Sequence, residues 1–256
     1  MQEIFNDLKT VIEQGIPAVL CIVIETTGST PRKAGSKMLV FQDGTIKGTV
    51  GGGSVEFQTI QDALRIICVG TPFTKQFHLE EDLKMQCGGT MEIYFEPIGC
   101  LPKLYIFGGG HIGKALAGYA AGLGFRPFVS DQREGIFDEW NLPGVETRNG
   151  DFLQIIDSLP FDSNTYIAIV THKHDFDETV LLACLPREFA YLGMIGSKRK
   201  VAEIRKNALE NHTVTEAQLN KVDMPIGIPF VAETPAEIAI SIIAKMIDVK
   251  NTKKKS

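Results

Sequence analysis

The chain has 256 residues, 44% hydrophobic and 22% charged, with a formal net charge of -5 and 25 glycines, where average usage gives roughly 18. The acidic balance argues against nucleic acid or an anionic membrane as the main partner, since both are held chiefly by excess Lys and Arg. The longest apolar stretch, residues 18–24, is too short to span a bilayer. The opening MQEIFNDLKT lacks the apolar run of a signal peptide. Cys21, Cys68, Cys87, Cys100 and Cys184 are odd in number and irregularly spaced, which suits reduced thiols and a cytoplasmic location.

In chain order, Ile4, Phe5, Leu8, Val11 and Ile12 recur at helical spacing, and Gly15 followed by Pro17 ends that helix. Residues 18–24 predict a buried strand. A polar loop over 25–34 leads to a strand at 36–41, and Asp43-Gly44 predicts a hairpin whose returning strand is 45–50. Gly51-Gly52-Gly53 precedes a helical pattern through Val55, Ala63, Leu64, Ile66 and Ile67 that ends at Gly70. Strands at 73–79 and 90–96 flank Cys87-Gly88-Gly89.

Two small-residue loops in this half adjoin strands: Gly28-Ser29-Thr30-Pro31-Arg32-Lys33 and Gly51-Gly52-Gly53-Ser54-Val55-Glu56. If they converge, Arg32 and Lys33 with exposed amides make an anion cradle, and Glu56 binds an amino group or orients a base. The alternative is a pair of tight turns with ordinary surface charges. Cys21 and Cys68 sit in apolar runs, which reads as core, and Cys184 fits a helix face. Cys87 precedes two glycines in a turn, where a reachable thiolate suits a soft metal or sulfur transfer.

Around residues 97–102 hairpins give way to alternating strands and helices. Pro97, Gly99 and Pro102 make a linker, and the expected domains are 1–98 and 103–250, with a flexible basic tail at 251–256. Strands are predicted at 104–107, 126–130, 145–148, 166–170 and 191–195, with helical patterns between them, the rhythm of a doubly wound parallel sheet. Thr234, Pro235 and Glu237 form a capping box for a last helix that buries Ile238, Ile242, Met246 and Ile247.

Gly108-Gly109-Gly110-His111-Ile112-Gly113 follows a strand and opens a helix, and Asp131 ends the next strand. In that setting Gly108 makes the tight turn, Gly110 admits a pyrophosphate, Gly113 lets helix and strand pack, and Asp131 accepts from a ribose 2'-OH. Gly108, Gly110, His111, Gly113 and Asp131 are therefore candidate nucleotide contacts, and Arg133 leaves NAD and NADP both open. Gly196-Ser197-Lys198-Arg199-Lys200 offers a second anion site: Ser197 caps a helix, and Lys198 and Arg199 hold phosphate or carboxylate. His172, His174, Asp175 and Asp177 follow a strand on the ligand-binding edge, as ligand contacts, zinc ligands or a helix N-cap.

Taken together these motifs resemble the XdhC/CoxI family, accessory proteins of molybdenum hydroxylases such as xanthine dehydrogenase. The resemblance rests on Gly28-Ser29-Thr30-Pro31-Arg32, Gly48-Thr49-Val50-Gly51-Gly52-Gly53 with Glu56, Cys87-Gly88-Gly89 and the 107–113 glycine loop. It continues through Thr171-His172 with Asp177, Gly193-Met194-Ile195-Gly196-Ser197, and Pro225-Ile226-Gly227 followed by Glu233-Thr234-Pro235. It implies an N-terminal α+β XdhC/CoxI domain followed by a Rossmann-like domain. It also implies a chaperone that binds molybdenum cofactor, holds it during sulfuration by a cysteine desulfurase and delivers it to an apo molybdenum hydroxylase. On this reading Cys87 contacts molybdenum or its sulfur, and Arg32 with Gly51, Gly52 and Gly53 holds polar parts of the cofactor. A homodimer is expected. Two alternatives compete: an NAD(P)-dependent oxidoreductase with His172 as proton donor, and a non-catalytic nucleotide sensor.

Overall fold

The computed structural model describes residues 2–67, 71–81, 83, 88–210 and 214–253, and its backbone divides into two compact units, Met1–Cys100 and Leu101–Ser256.

The N-terminal unit is α+β. Its elements are α1 (Gln2–Gln14), β1 (Ala18–Thr27), β2 (Lys37–Phe41), β3 (Ile46–Gly48), α2 (Gly53–Ile66), β4 (Phe73–His78) and β5 (Thr90–Ile98). The strands form one antiparallel sheet in the order β3-β2-β1-β5-β4. The expected hairpin closes at Gly44, whose φ is 82°, while Asp43 Oδ1 accepts hydrogen bonds from Thr45 N at 2.9 Å and Thr45 Oγ1 at 2.6 Å. Alternation along the strands sends Val19, Cys21 and Val23 of β1, Met38 and Val40 of β2, and Met91, Ile93 and Phe95 of β5 to one face, where Val55 and Ala63 of α2 cover them. α1 has the expected helical spacing, yet only Val11 of its apolar set is buried, and Phe5 and Ile12 are about half exposed.

The C-terminal unit is a parallel α/β sandwich. In chain order it contains β6 (Lys103–Phe107), α3 (His111–Gly122), β7 (Arg126–Asp131), β8 (Glu146–Asn149), α4 (Phe152–Ser158), β9 (Thr165–Ile169), α5 (His174–Cys184), β10 (Tyr191–Met194), α6 (Lys198–Glu210), α7 (Glu216–Leu219) and α8 (Pro235–Lys253). The sheet runs β10-β9-β6-β7-β8, all parallel. Leu104, Ile106, Val129, Tyr166 and Ala168 point to α3 and α8. Tyr105, Phe107, Phe128, Ile167 and Ile169 point to α4, α5 and α6 on the other face. The chain therefore has the expected fold: an α+β unit followed by a Rossmann-like doubly wound sheet.

Differences from the sequence reading are local. α7 was not expected; Thr215 caps it and Gln218 closes a capping box. α8 starts as expected, with Thr234 Oγ1 accepting from Glu237 N at 3.3 Å and Glu237 Oε2 accepting from Thr234 N at 3.0 Å. It runs on to Lys253, so residues 251–253 of the expected tail are helical. Lys254 and Lys255 lie outside the described residues.

Candidate functional site

In the C-terminal unit the chain steps from β6 outward to β7 and β8, then returns to place β9 on the other side of β6. In open α/β sheets this topological switch point is where a ligand crevice forms. Here the loop after β6 and the loop after β9 touch: a Cβ on Gly108 would lie 2.3 Å from Val170 O. Gly113 presses α3 onto the loop, since its Cβ would lie 1.9 Å from Gly108 O. Both glycines are thus required by close backbone approach, and α3 opens with Gly110 as N-cap and an exposed His111 as its first residue.

Asp131 ends β7 beside this loop, fully buried. Its Oδ2 accepts from Gly109 N and from Arg133 Nη2, each at 2.7 Å, and its Oδ1 accepts from Arg133 N at 3.0 Å and Nε at 2.9 Å. Burial opposes its charge, but the Arg133 and Gly109 hydrogen bonds outweigh burial and lower its pKa. A carboxylate has about four acceptor positions, and all four contacts come from within the chain. The ribose contact expected of Asp131 would require Arg133 to move aside.

Around the neighbouring strand ends lies a second network, which joins Thr171, Asp177 and Lys200 of two separate sequence motifs. Asp177, in the first turn of α5 and 1% exposed, accepts from Thr171 N at 3.1 Å and Thr171 Oγ1 at 2.7 Å. It also pairs with Lys200 of α6, whose Nζ reaches Ile195 O at 3.4 Å. The pair ties the loop after β9 to the loop after β10. Ser197 caps α6 as expected, accepting from Lys200 N at 3.3 Å. Lys198 and Arg199 are exposed at the helix start, whereas Lys200 turns inward. Neither Asp175 nor Asp177 caps α5; its N-cap is Lys173. His172 is exposed with its ring 5.6 Å from that of Phe176, and the His174 side chain lies outside the described residues. Gly193 meets the 223–227 segment: its Cβ would lie 2.4 Å from Ile226 Cγ1. There Asp223 Oδ2 accepts from buried Tyr191 Oη at 2.5 Å and Gly227 N at 2.9 Å.

In the N-terminal unit the two small-residue loops do converge. A Cβ on Gly51 would lie 2.6 Å from Pro31 Cγ. A third loop joins them, since a Cβ on Gly89 would lie 2.4 Å from Ser29 O. Gly51, Gly52 and Gly53 all have positive φ, at 148°, 76° and 59°, so three consecutive left-handed residues turn the chain into α2, a path that disfavours side chains. Glu56 fixes that turn: its Oε2 accepts from Thr49 Oγ1 and from Gly52 N at 3.3 Å, and Thr49 Oγ1 accepts from Gly51 N at 3.1 Å. Glu56 thereby spends one oxygen on the loop rather than on a ligand.

Arg32 is exposed and lines a cavity of about 770 Å³ together with Lys37, Lys47, Asp7 and Thr49. Lys33, expected to join Arg32, is not among the lining residues; Lys37 and Lys47 take its place. Their signal was legible as two lysines on neighbouring hairpin strands, but only register decides that they share a face. Cys87 and Cys68 lie outside the described residues. Cys21 is a core residue as expected, Cys184 lies on α5 as expected and is buried too, and burial pushes both thiols up, that of Cys184 to about 12.

A family profile described as the XdhC Rossmann domain matches residues 104–246, more than half of the chain. The chain belongs to the XdhC family. A second profile, the XdhC and CoxI family, matches residues 11–78 of this XdhC protein. Among curated relatives, the uncharacterized protein YqeB of Escherichia coli is 32% identical over 97% of this chain and 46% of that protein. A probable xanthine dehydrogenase subunit of Bacillus subtilis is 25% identical over 63% of this chain and 47% of that protein. This XdhC chain thus spans about half the length of those two relatives. The molybdenum cofactor insertion chaperone PaoD of E. coli is 23% identical over 92% of this chain and 84% of its own. A solved structure of a xanthine dehydrogenase from Bacillus halodurans has a TM-score of 0.54 at 21% identity, covering 96% of this chain and 95% of that one, a likeness of fold. Among the described residues no helix is long and apolar enough to cross a membrane, and no group of three or more His, Cys, Asp and Glu could hold a metal ion.

Proposed function

We propose that this XdhC-family protein is a maturation factor: it binds molybdenum cofactor as cargo, holds it during sulfuration by a cysteine desulfurase, and delivers it to an apo molybdenum hydroxylase of the xanthine dehydrogenase type, acting as a homodimer. The observation that carries this reading is the convergence of three glycine-containing loops in the N-terminal unit, with Pro31 against Gly51 and Ser29 against Gly89, two residues after Cys87 in the chain. The cargo has a pterin, a dithiolene-bound metal and a phosphate. Backbone amides at glycine turns suit its polar pterin edge, a thiol suits its soft metal, and Arg32 suits an anion. The names of the B. subtilis and E. coli relatives point the same way.

The test is a titration of the full chain with molybdenum cofactor released from a donor protein. About one cofactor per chain is expected, with weaker binding by Cys87→Ala. Failure to bind cofactor from any source sinks the proposal.

A second reading, nucleotide binding in the C-terminal unit with or without hydride transfer, is favoured by the glycine loop at the switch point. The Arg133 clamp on Asp131 weighs against its ribose contact. Titration with NADH and NADPH, followed by nicotinamide fluorescence, decides it.

A further inference from the structure

The cavity of the N-terminal unit carries a charge pattern that neither the fold nor the glycine loops need. Arg32, Lys37 and Lys47 line it against a single carboxylate, Asp7, so three positive charges less one negative leaves +2 in a chain whose formal net charge is -5. Among the described residues none of the three cations makes an ion pair. Leu39 pairs with Lys47 across the β2-β3 hairpin, and Thr49 N donates to Lys37 O at 3.1 Å. Lys37 and Lys47 are therefore diagonal neighbours on one face, where side chains two register positions apart are within reach of each other. Like charges so placed repel, and an anion bound between them offsets that repulsion.

One of these cations is held in place. Lys37 is half-buried; its Nζ donates to Gly35 O at 3.0 Å and lies 5.9 Å from the centroid of the Phe5 ring. A carbonyl and an aromatic face orient an ammonium without neutralising it. This also gives the half-exposed Phe5 of α1 a role that core packing does not. The volume, about 770 Å³, lies within the range of small-molecule sites, roughly 300–1,000 Å³, and exceeds what one inorganic ion fills. Thr49 lines the cavity and donates to Glu56, which holds Gly52, so the cavity adjoins the glycine loops through one hydrogen-bonded step.

We propose that this cavity is a binding subsite for the phosphate or diphosphate group of an organic ligand, with Arg32, Lys37 and Lys47 as its donors. It rests on the cofactor reading for the identity of the natural ligand, since the cargo's phosphate is the group it would take, but not for the existence of the anion site.

The test is calorimetric titration of the full chain with inorganic pyrophosphate and, separately, glycerol 3-phosphate; the tighter of the two tells diphosphate from monoester. Arg32→Ala and Lys47→Glu, both at exposed positions, should each weaken binding by about tenfold or more, the loss expected for a charge-assisted contact. Lys9→Ala, on α1 and outside the lining, should leave affinity within about twofold, as expected of a screened surface charge. Thermal melting of each variant without ligand separates lost binding from lost folding. Absence of binding by the wild type to both probes, or affinity undiminished in both cavity variants, overturns the proposal. Molybdenum cofactor titrated in parallel separates the two readings. Pyrophosphate bound and cofactor not bound sinks the cofactor reading alone, whereas cofactor bound by the wild type, with pyrophosphate affinity undiminished in both Arg32→Ala and Lys47→Glu, sinks the anion subsite alone.

Discussion

Replacing Lys200 by Met tests whether the two loops at the switch-point crevice are held by a buried charge pair. Lys200 is 11% exposed in its side chain and Asp177 is 2% exposed. In Lys200→Met the Asp177 carboxylate keeps only its two hydrogen bonds from Thr171. Removing one partner of a buried pair costs about 3–5 kcal/mol. The slight exposure of Lys200, together with the aliphatic packing that Met preserves, points to the lower end, about 3 kcal/mol. For a unit of this size each kcal/mol moves the midpoint by about 2–4 °C, so the transition of the C-terminal unit should fall by about 6–12 °C. Scanning calorimetry of the full chain measures it. Asp177→Asn in the Lys200→Met background removes the orphaned charge and should restore much of the loss, giving a coupling energy within the 0.5–3 kcal/mol seen for contacting residues. A shift below about 2 °C in Lys200→Met, or strictly additive single and double variants, would refute the buried-pair reasoning.

Further outcomes follow from the same geometry. Gly113→Ala should leave little folded protein, because its Cβ would lie 1.9 Å from Gly108 O; soluble yield and circular dichroism report it. Asp131 has a lowered folded pKa, so the stability it contributes is complete above its unfolded value of about 3.9 and is lost as pH falls through the folded value. Arg133→Ala should weaken that acid dependence, seen in denaturant unfolding across the acid range. Glu56→Ala should free the Gly51 to Gly53 turn, raising amide exchange there and weakening cofactor binding while α2 keeps its helical signal. In the native protein Cys21 and Cys184 should resist alkylation near neutral pH, since burial raises both thiols; peptide mass mapping checks it.

Strand and helix positions were legible in residue order because their causes are local. A short apolar run rich in β-branched residues marked β1, Asp43-Gly44 marked the hairpin after β2, and Thr234-Pro235 with Glu237 marked the start of α8. The glycine loop after β6 was legible too, since a strand, a turn without side chains and a helix follow one another directly. The 3.6- and 2-residue periods and backbone sterics act within a few residues, so such features leave a mark that a reader of the chain can find. α1 shows the edge of this: its spacing was right, but spacing says nothing about how much of the face is covered, and Phe5 and Ile12 stay half exposed.

The site residues divide along the same line. That glycines collect at strand ends was written in the order of residues; which loops meet was decided by sheet order and register. Pro31 reaches Gly51, and Ser29 reaches Gly89, because β1 lies between β2 and β5 and brings the ends of distant segments together. The same long-range placement turned Lys200 inward to Asp177 rather than out with Lys198 and Arg199, and put Lys47 rather than Lys33 beside Arg32. Those pairings depend on contacts between residues far apart in the chain, whose energy appears only after loop closure and strand pairing have fixed their positions.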